Sequence, residues 1–148
     1  MLKTIPPLLT PELLFSLAAM GHGDRLAIVD RNYPALARHP RVHPLAGVDT
    51  TVAATAILQL FPVDHFVSPA AFRMVPDGDT EADLEAHRLM AQSLQQSEGR
   101  SVALNPVERT AFYDLAQTAY AVVQTSDARP YSCFVLTKGV VDDAGSPG

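Results

Sequence analysis

Gly21-His22-Gly23-Asp24 sets an imidazole between two glycines. An imidazole titrates near neutral pH and is the usual proton shuttle. Flanking glycines let something approach the backbone closely. Asp24, two residues on, is placed to orient the ring. The same four residues also read as a helix end, with Gly21 at C′ and His22 complementing the dipole. Asp30 closes the apolar run Leu26-Ala27-Ile28-Val29, where α/β strands present ligand-binding groups. It reads equally as a turn-forming residue ahead of Asn32-Tyr33-Pro34. Arg109 and Tyr113 are four apart on an expected helix and share a face. Arg can hold hydroxyls or a carboxylate, and Tyr can donate or accept, although a solvated face with an extended Arg needs no more than this spacing. Asp64, after Phe61-Pro62-Val63, is ordinary on its own.

The other histidines carry less. His39 and His43 have the i, i+4 spacing of helical metal ligands, but Pro40 and Pro44 follow them directly and disfavour a helix. His65 and His87 have no acidic or histidine partner at useful spacing. The sequence shows no nucleophile elbow, phosphate-cradling loop or dinucleotide fingerprint. No metal and no cofactor are therefore expected.

These groups need a scaffold, and the pattern supplies an α/β one. Thr10-Pro11-Glu12 opens a helix as N-cap, N1 proline and dipole-matched acid, with Leu13, Leu14, Leu17 and Ala18 as its apolar face and Gly21 as its stop. Residues 26–29 read as a buried strand. Asp49 caps a helix to about Phe61, which Pro62 ends. A strand is expected at 71–75, a helix at 80–96 and a short strand at 101–104. Asn105-Pro106-x-Glu108 resembles a capping box opening a helix to about Thr118. Strands at 120–124 and 134–137, joined by a turn around 127–130, complete a central sheet flanked by helices.

The 148 residues suffice for one domain, expected over 1–141, with 142–148 as a polar, frayed tail. Apolar residues make up 47% and charged ones 18%, which places the chain among globular proteins. No apolar run approaches the ~20 residues of a membrane span, and the first residues lack the apolar segment of a secretory signal. The net charge of −5 and the absence of a basic block argue against nucleic acid as a partner. The single cysteine, Cys133, excludes an intrachain disulfide and suits a cytoplasmic setting.

Together these segments resemble one family. The opening MLKTIPPLLTPELLFSLAAMGHGD is similar to the start of bacterial L-fucose mutarotases, which belong with the D-ribose pyranases. The resemblance continues through Asp30, Pro34, Ala46-Gly47-Val48 and Leu60-Phe61-Pro62-Val63-Asp64. It extends to Arg109-x-Ala111-Phe112-Tyr113-x-x-Ala116-Gln117-x-Ala119 and Lys138-Gly139-Val140. It implies a ribose-pyranase-like fold and a mutarotase that interconverts the α and β anomers of L-fucose or a related pyranose without a cofactor. It makes His22 the proton-transfer residue, with Tyr131 expected as its acid/base counterpart. Asp30, Asp64, Arg109 and Tyr113 become sugar-binding residues. Where the family has Tyr-Gly-Asn, this chain has Tyr131-Ser132-Cys133, which the resemblance also places at the sugar. It further implies a ring-shaped homo-oligomer, often a decamer, with the sugar where subunits meet. Two alternatives share the fold: a non-catalytic monosaccharide-binding protein and a pyranose–furanose isomerase of ribose type.

Overall fold

Leu26-Ala27-Ile28-Val29 is buried on both faces, as befits a strand covered by helices above and below. It forms most of β1, Arg25–Val29. In this computed structural model, which describes residues 1–142, β1 lies inside a six-stranded sheet. The other strands are β2 (Val42–Leu45), β3 (Ala71–Val75), β4 (Leu104–Glu108), β5 (Ala121–Thr125) and β6 (Phe134–Thr137), in the order β2-β5-β1-β6-β3-β4. Strand β6 runs antiparallel to β1 and β3, while the remaining pairs are parallel. The expected tail, apart from residue 142, lies outside the described residues.

Alternation along the strands divides the core in two. Leu26, Ile28, Phe134 and Leu136 pack against α1 (Pro11–Ala19), α3 (Thr50–Ile57) and α4 (Glu85–Glu98) through Leu13, Leu17, Ile57, Met90 and Leu94. Ala27, Val29, Cys133 and Val135 pack on the opposite face against α2 (Ala35–Arg38) and α5 (Arg109–Ala116) through Ala35, Phe112 and Ala116. The result is a single α/β/α domain. Thr10 caps α1 by accepting from the Leu13 N–H, and Asp49 caps α3 by accepting from Val52.

The structure corrects several local expectations. Leu14 is only half-buried and Ala18 is exposed, because α1 turns Leu13, Ser16 and Leu17 inward. Helix α3 stops at Ile57, and α4 starts at Glu85. Asn105-Pro106-x-Glu108 is not a capping box: it lies within β4, and α5 begins only at Arg109. Pro106 is tolerated because β4 is an edge strand, where a missing N–H costs little. The same reason admits Pro44 to β2, the opposite edge, which the sequence pattern did not suggest.

Since β6 is antiparallel to β1, its first residues lie beside the C-terminal end of β1, and its last beside the N-terminal end. Each end of this strand pair gathers part of the candidate chemistry.

Candidate active site

At the C-terminal end of β1, Asp30 leaves the strand and its Oδ1 accepts from the Asn32 and Tyr33 N–H groups, at 3.0 Å each. The turn-forming reading of Asp30 therefore holds in geometry, and the carboxylate also lines a cavity. This cavity of about 210 Å³ is bounded by Asp30, Tyr33, Met74, Arg109, Tyr113, Tyr131 and Cys133, with Asn32 at its margin. Its size is below the ~300–1,000 Å³ of drug-sized ligand sites and suits one small polar molecule.

Helix α5 supplies Arg109 and Tyr113 to one wall, as their spacing predicts. The Arg109 guanidinium lies 5.1 Å from the Tyr113 ring centroid, and Arg38 approaches the same ring at 4.4 Å. Tyr33, which the sequence reading treated only as part of a turn, packs against Tyr113 at 5.6 Å. Its hydroxyl bonds His39 Nε2 at 2.8 Å, and burial pushes the phenol up to about 12. His39 is thus committed to a hydroxyl, as is His43, whose Nε2 meets the Ser16 hydroxyl at 2.7 Å.

Burial raises Asp30 above the usual carboxylate range; bonds from the Asn32 N–H, the Cys133 thiol and the Tyr33 N–H offset it only partly. Cys133 is 1% exposed. Burial and the facing Asp30 charge push its thiol well up, so it remains a neutral, weak hydrogen-bonding group.

Ser132 departs from expectation. It is fully buried and does not line the cavity. Its hydroxyl donates to Asp127 Oδ2 at 2.9 Å and lies 2.6 Å from the Thr50 hydroxyl. The alternation of an extended strand entry sends Ser132 to the face opposite Cys133. Asp127 also accepts from the Thr50 N–H at 2.9 Å and from Arg129 Nη2 at 2.7 Å. Burial alone would raise Asp127, but Arg129 and these other donors outweigh it and hold the carboxyl well below its usual range.

The other end of the sheet carries His22. Gly23 takes φ +89°, and its N–H donates to the Lys138 carbonyl just beyond β6 at 2.9 Å. Lys138 Nζ donates to the last carbonyls of α1, Leu17 at 2.8 Å and Met20 at 2.5 Å. The His22 turn is therefore strapped to β6 by both the main chain and the side chain of Lys138. His22 Nε2 sits 3.0 Å from Asp64 Oδ1. An ionised carboxylate only accepts, so Nε2 carries the proton and Nδ1 is the basic nitrogen.

Asp64, rather than Asp24, is the carboxylate that orients His22. Asp24 Oδ2 instead accepts from the Gly21 N–H at 2.7 Å, because the tight turn brings it back onto the end of α1. Asp64 is 2% exposed against 45% for the His22 side chain. Burial would raise Asp64, but bonds from His22 and the Phe66 N–H dominate and lower it. Gly139 lets this contact form: a Cβ there would fall 3.0 Å from the Asp64 backbone. Phe66, largely exposed, tilts over His22 at 5.3 Å and stacks on His65 at 4.5 Å.

The structure thus brings Asp30, Arg109, Tyr113, Tyr131 and Cys133 together, and pairs His22 with Asp64 elsewhere. The two clusters bracket β1, whose five residues span about 16 Å at a typical strand rise. A larger groove of about 600 Å³ lies between α3 and α4, lined in part by Phe61 and Pro62 just ahead of Asp64. Its acid, Glu98, is occupied by Arg100 and the Val63 N–H.

The sequence model of the RbsD / FucU transport protein family matches residues 3–141. A curated L-fucose mutarotase of Actinobacillus pleuropneumoniae is 39% identical over 141 residues, covering 95% of this chain and 97% of that relative. The crystal structure of FucU from Bifidobacterium longum superposes with a TM-score of 0.87 at 33% identity, covering 93% of this chain and 99% of that one. A fucose mutarotase from Streptococcus pneumoniae, solved in complex with L-fucose, gives 0.81 at 32% identity, covering 95% and 100% respectively.

Proposed function

Since the chain belongs to the RbsD / FucU family, we propose that it is a sugar mutarotase, interconverting the α and β anomers of L-fucose or a related pyranose. The observation that carries this reading is the small cavity in which Asp30, Arg109, Tyr113 and Tyr131 converge, in a chain similar over nearly its whole length to L-fucose mutarotases.

The reaction moves protons only. A base takes the proton from the anomeric O1–H while an acid protonates the ring oxygen. The C1–O5 bond breaks and C1=O1 forms. Rotation about C1–C2 presents the other carbonyl face, O5 attacks it, and the two groups exchange roles. His22 and Tyr131 serve as these groups, each able to donate or accept a proton. The Asp64 carboxylate steadies the imidazole by accepting from Nε2. Asp30 accepts from sugar hydroxyls, Arg109 donates to them, and Tyr113 offers a wall.

His22 and Tyr131 of one chain stand too far apart to work on one sugar. The functional site accordingly joins the His22–Asp64 end of one subunit to the Asp30–Tyr131 cavity of a neighbour. Such a contact uses two different patches and closes into a ring when its rotation permits. A homo-oligomeric ring is the assembly we propose. The cytoplasm is its proposed setting, consistent with a buried free thiol.

Saturation-transfer NMR on L-fucose, D-ribose and other free sugars tests the activity. Magnetisation should pass between the α and β pyranose signals of L-fucose. Binding without exchange would identify a sugar-binding protein instead, and exchange confined to furanose signals of D-ribose a pyranose–furanose isomerase.

A further inference from the structure

His87 is 1% exposed and both its ring nitrogens are engaged. Nδ1 accepts from the Leu84 N–H at 3.1 Å, at the start of α4. That bond fixes the tautomer: the proton sits on Nε2, which donates to the Tyr131 carbonyl at 3.0 Å. The ring stands edge-on to Phe134 at 6.0 Å, so packing fixes its plane as well. Burial is the main influence keeping this imidazole neutral.

The residue it holds is unusual. Tyr131 has φ +56°, and among the described residues only Thr4 shares a positive φ without being glycine. A tyrosine in this region is strained and persists when its surroundings over-determine it. Its neighbours are fixed: Ser132 by Asp127, and Cys133 by its carbonyl, which accepts from the Met74 N–H at 2.9 Å. The Tyr131 carbonyl is fixed by His87 alone among the bonds described.

The geometry points to His87 as a positioning residue: by bonding the Tyr131 carbonyl it holds that strained backbone in the conformation that delivers the phenol to the sugar cavity. Helix α4, which lines no part of the cavity, thereby reaches the chemistry. This inference rests on the reading that Tyr131 acts on a sugar.

Two substitutions separate positioning from packing. His87→Gln can present a side-chain N–H where Nε2 stood; His87→Met fills similar space without a donor. In His87→Met, kcat for L-fucose anomer exchange should fall roughly 10–100-fold, the scale of a sub-ångström to ångström misplacement, with KM unchanged. His87→Gln should recover most of it. With 3-fluorotyrosine incorporated, the fluorine resonance assigned through Tyr131→Phe should move in His87→Met and return in His87→Gln. Should His87→Met fail to fold, His87→Asn takes its place, since it keeps an acceptor for Leu84 and loses the donor to Tyr131. Wild-type kcat, or an unmoved Tyr131 resonance, in the donor-less variant would overturn the inference. A wild-type protein inert toward L-fucose would instead overturn the functional reading, and the fluorine spectrum would still decide the role of His87.

Discussion

The two ends of β1 are built in contrasting ways. The Asp30 end is a cavity whose walls are fixed from behind: Tyr131 by His87 and Tyr33 by His39. The His22 end is open. Its imidazole side chain is 45% exposed over a carboxylate that is 2% exposed, flanked by the exposed rings of His65 and Phe66. A binding site must hold its groups before the ligand arrives, whereas a proton carrier must meet a substrate held elsewhere. In the shared site proposed above, the open end of one copy would be completed by the cavity of another.

The sharpest way to separate the two ends is to remove the imidazole. His22→Ala should slow L-fucose anomer exchange by ~10²–10⁴-fold, the usual worth of a general acid/base, while melting temperature and assembly stay at wild-type values. Exchange at the wild-type rate would remove His22 from the mechanism.

Damage at the Asp30 end should appear as lost stability. Asp127→Ala strips Arg129, Thr50 and Ser132 of their common acceptor. Breaking a buried ion pair in this way costs roughly 3–5 kcal/mol, read by chemical denaturation. The folded-state pKa of Asp127 is depressed. Its stabilisation is therefore present above the unfolded carboxylate pKa and is lost as pH falls through the folded value. The wild-type protein should lose stability on acidification in that window, and Asp127→Ala should lose less. Equal acid sensitivity in both would place the sensitive group elsewhere.

Asp64→Asn keeps an acceptor beside His22 and removes the charge. A hydrogen bond to a charged group is worth roughly 1.5–3 kcal/mol, so turnover should drop by one to two orders of magnitude. Asp24→Asn should leave turnover nearly intact, since Asp24 accepts from the Gly21 N–H and does not touch His22. The reverse ranking would restore Asp24 as the orienting group.

That ranking also marks what the sequence could tell. The i, i+4 relation of Arg109 and Tyr113 and the strand-end place of Asp30 are local patterns, and both survived into the structure. So did the Thr10 and Asp49 caps. The His22–Asp64 pair spans 42 residues and depends on β6 bringing Lys138 and Gly139 between them, which no local pattern records. Asp24 looked like the partner only because it was near in sequence. Pro106 misled for a related reason: a proline is read as a helix start unless the strand is known to be an edge, whereas Pro44 rightly spoke against a helix around His43 without revealing β2. The opposite facing of Ser132 and Cys133 follows from strand alternation, but only once β6 is placed. His87 showed no sequence signal, because its partners are main-chain groups.

The smallest effect concerns Cys133. Replacing it by Asn restores a donor and an acceptor beside Asp30 and should tighten L-fucose binding by roughly 0.5–1.5 kcal/mol if one net hydrogen bond forms. Calorimetric titration with parallel melting decides: weaker or unchanged affinity with a lowered melting temperature would make Cys133 a packing residue only.

The central claim, a site shared between copies, is tested most directly by mixing two inactive proteins. His22→Ala and Tyr131→Phe should each lose most anomer exchange. Dissociated together in equal amounts and reassembled, they should regain about a quarter of wild-type activity, because in a head-to-tail ring about one contact in four then joins an intact His22 to an intact Tyr131. Activity no higher than that of either variant alone would mean that both residues act within one chain, and would contradict the account.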